Sequence, residues 1–347
     1  WKKIEEEIRK EYDKLGFSGR FGSGLPRISD GSLLFLQHMI SKMRPENGGA
    51  RIGIVFNGSP LFSGGAGSGE SEIRKWIIEK DMLEAIVALP DQLFYNTGIS
   101  TYVWIVTNRK EKDRRGKIQL VNATGFFQKM AKSLGNKRNE IGDRHIEEIS
   151  RIYGDFKDGE YCKIYPNNFF GYTQITVDRP LRLNFQASAE RIARLDDEAA
   201  FKNLSKSNKK GQKGLEEVQE GEKLQREIKT AISRIAGKTI YKNRDRFLDA
   251  LTEAFEKRDI KTTTPLIKTI LSALCERDET ADICKDLKGK PEPSADLRDY
   301  ENVPLQDNVD AYFKREVLPH APDAWMDRSK DRIGYEINFT KEFYKYK

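Results

Sequence analysis

The residues between 126 and 144 include the group of side chains best suited to contact an anion. Their cations surround Gly135 and are Lys129, Lys132, Lys137, Arg138 and Arg144. Lysine and arginine in such a group could contact DNA phosphates, which position a protein on DNA without reading its sequence. A solvated charged face explains the same residues equally well, so both interpretations stay open.

Gly64–Gly69 is a glycine-rich loop that could also meet a phosphate. It lacks the Gly-Lys-Ser/Thr ending of a P-loop, and its glycines miss the Gly-x-Gly-x-x-Gly spacing. Backbone amides ahead of a helix could still contact DNA, but a mobile loop beside an active cleft is the preferred interpretation. The nearby carboxylates of Glu70, Glu72 and Asp91 show no pairing that indicates acid–base catalysis.

These candidate residues are positioned by the elements predicted from 51 to 109. An apolar run at 51–56 predicts a buried strand, and apolar spacing over 70–80 predicts an amphipathic helix. Two further apolar runs, at 83–89 and 101–107, predict strands that flank an aromatic-bearing loop at 90–100. The order strand, helix, strand, loop, strand is that of the closing half of an α/β sheet.

Two segments of this stretch, 60–76 and 89–99, resemble a known family. They are similar to the modification subunit of type I restriction–modification systems, a family of DNA adenine-N6 methyltransferases that use S-adenosylmethionine. The resemblance continues through 169–172, 175–185, 301–305, 312–320 and 333–337. It therefore covers both ends of the chain, with gaps only in the charged middle.

The resemblance implies an α/β fold, namely the second half of a Rossmann-like class I methyltransferase sheet followed by a mainly α-helical C-terminal region. Residues 1–185 would form the C-terminal part of the catalytic domain, and 186–347 a helical subunit-interaction region. Lysines and glycines over 203–221 predict a flexible segment, because they offer little to bury. A basic turn after 101–107 predicts that this strand and the strand at 117–122 are antiparallel neighbours.

The motifs that carry catalysis in the family are missing. Its Asn-Pro-Pro-Phe motif holds the target adenine, and this chain has no Pro-Pro dipeptide. Its cofactor loop is a strand followed by Phe-x-Gly-x-Gly, whereas Phe21–Gly24 has another spacing and no preceding apolar strand. The family has a Trp-Lys-Lys run shortly after the catalytic motif, and this chain opens with Trp1-Lys2-Lys3. We therefore expect a fragment that begins just after the motif, has no catalytic residue of its own and does not methylate alone.

The resemblance gives one residue of the 90–100 loop a direct role. An adenine methyltransferase takes its target base out of the duplex, and an aromatic ring restores part of the lost stacking. In the family this aromatic precedes the last strands of the sheet, the position of Phe94. Tyr95 is the alternative stacking residue. A purely structural explanation is that the Phe94 ring only covers the edge of the sheet.

Composition restricts the remaining possibilities. A net charge of +7 over 347 residues is a modest excess that is compatible with DNA binding. No apolar run approaches the ~20 residues needed to cross a membrane. The scattered Cys162, Cys275 and Cys284, with only three histidines, argue against a metal site and for a reducing cytoplasm.

We therefore expect part of a DNA adenine-N6 methyltransferase subunit that acts in host defence, with S-adenosylmethionine as the family's cofactor. The resemblance implies DNA, a specificity subunit, a second modification subunit and a restriction subunit as partners. The alternative is a non-catalytic assembly or DNA-clamping module of a multisubunit DNA-processing complex.

Overall fold

The computed structural model describes residues 1–46, 48–235 and 237–344. Its helices are α1 (Glu5–Leu15), α2 (Ser32–Ile40), α3 (Ser59–Phe62), α4 (Gly69–Glu79), α5 (Asp143–Asp155), α6 (Ala189–Ala193), α7 (Ala199–Lys202), α8 (Gln212–Ile232), α9 (Arg244–Glu256), α10 (Thr264–Leu274), α11 (Val309–Tyr312) and α12 (Phe339–Glu342). Its strands are β1 (Arg51–Phe56), β2 (Leu83–Ala88), β3 (Tyr102–Thr107), β4 (Lys117–Asn122), β5 (Gln128–Leu134), β6 (Lys137–Glu140), β7 (Cys162–Pro166), β8 (Gly171–Asp178), β9 (Leu183–Phe185), β10 (Cys275–Arg277), β11 (Asp299–Pro304), β12 (Trp325–Met326) and β13 (Arg332–Tyr335).

A five-stranded mixed sheet has the order β1-β3-β2-β4-β7. Strand β3 is antiparallel to both β1 and β2, whereas β2 and β4 are parallel. Strand β7 closes the other edge and is antiparallel to β4. The sheet is therefore mixed, and helices accompany it in a mixed α/β architecture.

The central strand β2 is buried at every position because both faces of the sheet are covered. Ile86 packs in one core with Trp104 of β3. Val87 lies on the opposite face with Val121 of β4. This two-sided burial explains why the strand reads as a nearly continuous apolar run in the sequence.

The prediction that β3 and β4 are neighbours is wrong, because β2 lies between them. Val87 of β2 pairs with Val103 on one side and with Val121 on the other. The basic turn (108–116) instead passes beside the start of β2, where it is hydrogen-bonded to Asp81. Lys110 Nζ donates to an Asp81 carboxylate oxygen at 2.6 Å, and the Gly116 amide donates to the other at 2.9 Å.

The remaining strands form smaller sheets. Strands β11, β8 and β12 are neighbours in that order, and β13 also pairs with β8. Strands β5 and β6 form a separate antiparallel hairpin, and β9 pairs with β10. The sequence does not predict the hairpin β5–β6, because Gln128–Leu134 is rich in polar residues and has no β-branched side chain.

The chain forms two compact units whose boundaries differ from the predicted domains. Unit 1 comprises 1–176, 300–320 and 326–347, and unit 2 comprises 177–299 and 321–325. The predicted C-terminal region therefore divides, because the chain returns to α4 near its end. Arg74 Nε donates to the Tyr335 carbonyl at 2.6 Å, and the Tyr335 amide donates to Ser71 Oγ at 3.0 Å.

Unit 2 has its own core, built from α6–α10 and β9. Phe185 of β9 stacks on Phe247 of α9 with ring centroids 5.3 Å apart. The predicted flexible segment 203–221 contains the first half of α8, and its flexibility stays a prediction. Gly221 is buried there, since a Cβ atom at this position would lie 1.9 Å from the Leu204 carbonyl oxygen. Glycine permits this close approach, which the sequence alone does not reveal.

None of the helices in the described ranges combines the length and apolar character needed to cross a membrane.

Candidate nucleic-acid interface

The predicted cations lie mostly on one exposed hairpin, β5–β6, which we call the basic hairpin (128–140). Gln128 pairs with Glu140 and Lys129 with Asn139 across it. Gly135 turns the chain with a φ of +58°, a left-handed conformation that favours glycine. The hairpin is exposed at almost every position of β5.

The structure brings four of the five predicted phosphate-contacting residues together. Lys129 and Lys132 lie on β5, and Lys137 and Arg138 begin β6. Arg144 lies apart from them, in the first turn of α5. Within the described residues none of the five forms a salt bridge, and Lys129 Nζ lies 5.2 Å from the Phe127 ring. The hairpin thus presents cations whose charge is not neutralised by carboxylates in the described part of this chain.

The loop of residues 90–100, called the Phe94 loop below, is bound to this hairpin through the backbone. The Asn136 amide donates to the Tyr95 carbonyl at 3.0 Å. The amides of Arg138 and Asn139 both donate to the Gln92 carbonyl, at 2.9 and 3.1 Å. The predicted base-stacking residue and the predicted phosphate contacts are therefore carried by neighbouring, hydrogen-bonded segments.

The two aromatic candidates of this loop have different surroundings. Tyr95 is 62% exposed and its ring lies beside the hairpin turn, since a Cβ atom at Gly135 would lie 3.7 Å from it. Phe94 is 39% exposed. Among the described residues neither ring takes part in an aromatic or cation–π pair. The stacking role of Phe94 therefore stays a prediction, with Tyr95 as the alternative.

A buried arginine organises the glycine-rich loop. Arg74 of α4 has no exposed surface and donates to the carbonyls of Pro60, Ser63, Gly64 and Tyr335 at 2.6–3.1 Å. Burial lowers the pKa of its guanidinium to about 10, which keeps it charged at neutral pH. The guanidinium fork matches several carbonyls at once. The loop is therefore anchored at its start, whereas its predicted mobility stays a prediction.

The end of the same loop is occupied by contacts within the chain. Ser68 Oγ accepts a hydrogen bond from the Ser71 amide at 3.2 Å and caps α4. A Cβ atom at Gly69 would lie 1.7 Å from the Leu25 carbonyl oxygen. Close backbone packing explains this glycine without any bound phosphate.

The glycines of Phe21–Gly24 lie where backbone segments pack closely. Phe21 is buried in a small core with Ile8 and Leu34, and the same three residues also line a pocket beside α1 and α2. A Cβ atom at Gly22 would lie 2.4 Å from the backbone of Gly16, and one at Gly24 would lie 2.8 Å from the Gly69 carbonyl oxygen. These glycines permit close contacts between backbone segments, which explains them without a bound cofactor.

Within the described residues no cluster of histidine, cysteine and carboxylate side chains could hold a metal ion.

Sequence reasoning missed two residues that hold these loops. Asn139 is completely buried although its neighbours on the hairpin are exposed. Arg74 is completely buried within a helix whose sequence is rich in charged residues. Neither residue has a sequence signal, because their partners are backbone carbonyls or lie far along the chain.

Comparison with known proteins agrees with the resemblance. Residues 5–168 match the N-6 DNA Methylase family. The chain is 38% identical over 110 residues to the methylase subunit of the type I restriction enzyme MjaVII of Methanocaldococcus jannaschii, which covers 32% of this chain and 18% of that protein. It is 29% identical over 210 residues to the MjaIX methylase subunit of the same organism, which covers 59% and 35%.

Among solved structures, the type I restriction-modification methyltransferase subunit from Streptococcus thermophilus is 26% identical and has a TM-score of 0.39. This match covers 46% of the present chain and 31% of that one. The chain thus spans only between 18% and 35% of the length of these relatives. Through residues 5–168 the chain is similar to the N-6 DNA methylase family, and it is also similar to the methylase subunits of type I restriction enzymes.

Proposed function

We propose that this chain is part of the modification subunit of a type I restriction–modification system, which transfers a methyl group from S-adenosylmethionine to adenine N6 in DNA. The observation that carries the proposal is the exposed ring of Phe94 on a loop bound to a hairpin of unpaired cations. The five-stranded sheet would be the second half of a Rossmann-like class I methyltransferase sheet, and the helices of unit 2 would contact other subunits.

The geometry supports two separate contributions to DNA binding. Lys129, Lys132, Lys137 and Arg138 would contact phosphates and release counterions, with Arg144 contributing from α5. Phe94 would stack on the extrahelical adenine, and such stacking is worth about 1–3 kcal/mol per base in single-strand binders. Because the loop is hydrogen-bonded to the hairpin, contacts to the phosphate backbone would set the position of the ring.

The chain by itself would not transfer a methyl group, because the Asn-Pro-Pro-Phe motif is absent from its sequence. Activity would require the rest of the catalytic domain, together with a specificity subunit, a second modification subunit and a restriction subunit in the cytoplasm. Incubation with labelled S-adenosylmethionine and adenine-containing DNA should give no incorporation above a heat-killed control. Incorporation above that level would contradict this part of the proposal.

The stacking role is tested by binding to two labelled duplexes. One duplex has a single bulged adenine, and its control has an abasic bulge at the same position. A bulged base is already unpaired, so the chain does not have to extract it. We expect a preference for the adenine duplex of roughly five- to 150-fold, the equivalent of about 1–3 kcal/mol.

Substitution at Phe94 identifies the ring that produces this preference. Phe94→Trp should keep most of it because an aromatic face remains, whereas Phe94→Leu should abolish it although leucine packs well in an apolar contact. If Phe94→Trp and Phe94→Leu showed equal preference for the bulged-adenine duplex, Phe94 would only pack at the edge of the sheet. If Tyr95→Leu alone abolished the preference, Tyr95 would be the stacking residue.

A non-catalytic DNA-clamping or assembly module is the second candidate, and the unpaired cations of the basic hairpin favour it. The same two duplexes separate the candidates. A clamp would bind both with equal affinity and a steep salt dependence, whereas a methyltransferase part would prefer the bulged adenine.

A further inference from the structure

We propose that Asn139 is a positioning residue that fixes the Phe94 loop on the basic hairpin. The structural part of this inference concerns the loop alone, and its consequence for DNA rests on the proposed function of Phe94. Asn139 would not contact DNA itself, because its side chain is completely buried. It acts through the backbone that leads to Phe94.

The amide of Asn139 joins the two segments. Its Nδ2 atom donates to the Asp91 carbonyl oxygen at 2.9 Å and to an Asp91 carboxylate oxygen at 3.0 Å. Its backbone amide donates to the Gln92 carbonyl at 3.1 Å. Asn139 thus binds two consecutive residues of the Phe94 loop, and these end two positions before Phe94.

Gln92 shows that the loop is held in an unfavourable conformation. Its φ angle is +54°, in the left-handed region that non-glycine residues seldom occupy. Such a conformation persists only where the surrounding structure determines it. The two amides of Arg138 and Asn139 that donate to the Gln92 carbonyl are the contacts that determine it here.

Asn167 offers a matched control elsewhere in unit 1. Its Nδ2 atom donates to the Ile78 carbonyl at 3.0 Å and to an Asp81 carboxylate oxygen at 2.8 Å. Asp81 also has a left-handed φ, +56°. The side-chain oxygens of both asparagines are buried and have no hydrogen-bond partner among the described residues. The two sites therefore share their chemistry, but only Asn139 contacts the Phe94 loop.

The first test is hydrogen exchange on the complete chain, without DNA. Asn139→Asp keeps the size of the side chain, removes its donor and places a carboxylate beside Asp91. We expect the amides of residues 136, 138 and 139 to exchange about tenfold faster in this variant, since local opening becomes easier. Asn167→Asp should leave these amides unchanged. Unchanged protection of these amides in Asn139→Asp would overturn the positioning role.

The second test is the preference for the bulged-adenine duplex. In Asn139→Asp it should fall toward that of Phe94→Leu, while the cations of the hairpin still bind the abasic duplex. Asn167→Asp should keep the preference. Retention of the full preference in Asn139→Asp would refute the positioning role. If the unsubstituted chain shows no preference, the proposed function fails, and the exchange measurement still decides whether Asn139 holds the loop.

Discussion

The glycine-rich loop follows the short helix α3 and the Phe94 loop follows strand β2 of the same unit, yet the two loops are held in different ways. The first is anchored from inside, by a single arginine with no exposed surface that donates to four backbone carbonyls, three of them in residues 60–64. The second is anchored from outside, by backbone amides and one asparagine of an exposed hairpin. The first anchor joins segments of unit 1 that are distant in sequence, whereas the second joins the Phe94 loop to the hairpin that carries the proposed phosphate contacts.

This difference has consequences for how each loop responds to substitution. Loss of Arg74 would affect the whole of unit 1, because this residue links α4 to the returning chain at Tyr335. Loss of a contact on the hairpin would affect only a local segment. Predictions from the two loops therefore differ in size and in the property that changes.

The largest effect is expected for Arg74→Met. The substitution keeps an apolar stem and leaves several buried carbonyls without their charged donor, so unfolding should become easier by about 3–5 kcal/mol. Urea unfolding followed by the fluorescence of tryptophans such as Trp104, buried in β3, measures this change. The matched control is Lys75→Met on the same helix, which should change stability by less than about 0.5 kcal/mol. Similar changes in the two variants would contradict the internal anchor.

A smaller effect is expected at the turn of the basic hairpin. A Cβ atom at Gly135 would lie 2.9 Å from the Tyr95 carbonyl oxygen, whereas one at Gly116 would meet no atom within 4 Å. Both glycines have positive φ angles, +58° and +70°, so alanine strains each backbone by about 1–2 kcal/mol. Only Gly135→Ala should also loosen the Phe94 loop.

Hydrogen exchange at the Asn136 amide, which donates to the Tyr95 carbonyl, distinguishes the two alanine variants. Faster exchange in Gly135→Ala alone agrees with the external anchor. Faster exchange in both variants, or in neither, would mean that the turn does not hold the loop.

The smallest effect on stability is expected for the hairpin cations, because they have no carboxylate partner in the described part of the chain. Lys132→Gln and Arg138→Gln should each leave unfolding within about 0.5 kcal/mol. Each should reduce the salt dependence of DNA binding by about 0.9 in log–log slope. Lys223→Gln, on α8 of unit 2, serves as the control and should leave that slope unchanged. An unaltered slope in both hairpin variants would favour a solvated face over a phosphate contact.

Much of the sheet could be predicted from the sequence because its signals are local. Apolar runs and an amphipathic pattern predict β1, α4, β2 and β3 within about two residues, the usual uncertainty of element ends. The order of the strands could not be predicted in the same way. The sequence of the turn between β3 and β4 does not reveal that β2 lies between these strands in the sheet. The pairing of strands depends on contacts between residues that are distant in sequence.

The residues of the candidate site likewise differ in whether the sequence could predict them. Phe94 and the cations follow from residue type and resemblance, and backbone hydrogen bonds join the Phe94 loop to the hairpin that carries four of the five cations. Asn139 and Arg74 could not be predicted, since an asparagine in a charged run and an arginine in a helix are ordinary surface residues in a sequence. Their importance comes from burial against backbone carbonyls, which only the folded chain shows.

A double-mutant cycle tests most directly whether the basic hairpin positions Phe94 for a base. Preference for the bulged-adenine duplex is measured for Phe94→Leu, Asn139→Asp and the double variant. Residues that act through one contact give non-additive effects, whereas independent residues add. We expect the double variant to lose no more preference than Phe94→Leu alone. Additive losses would contradict the positioning of Phe94 by the hairpin, because Asn139 would then influence DNA by a route that does not involve Phe94.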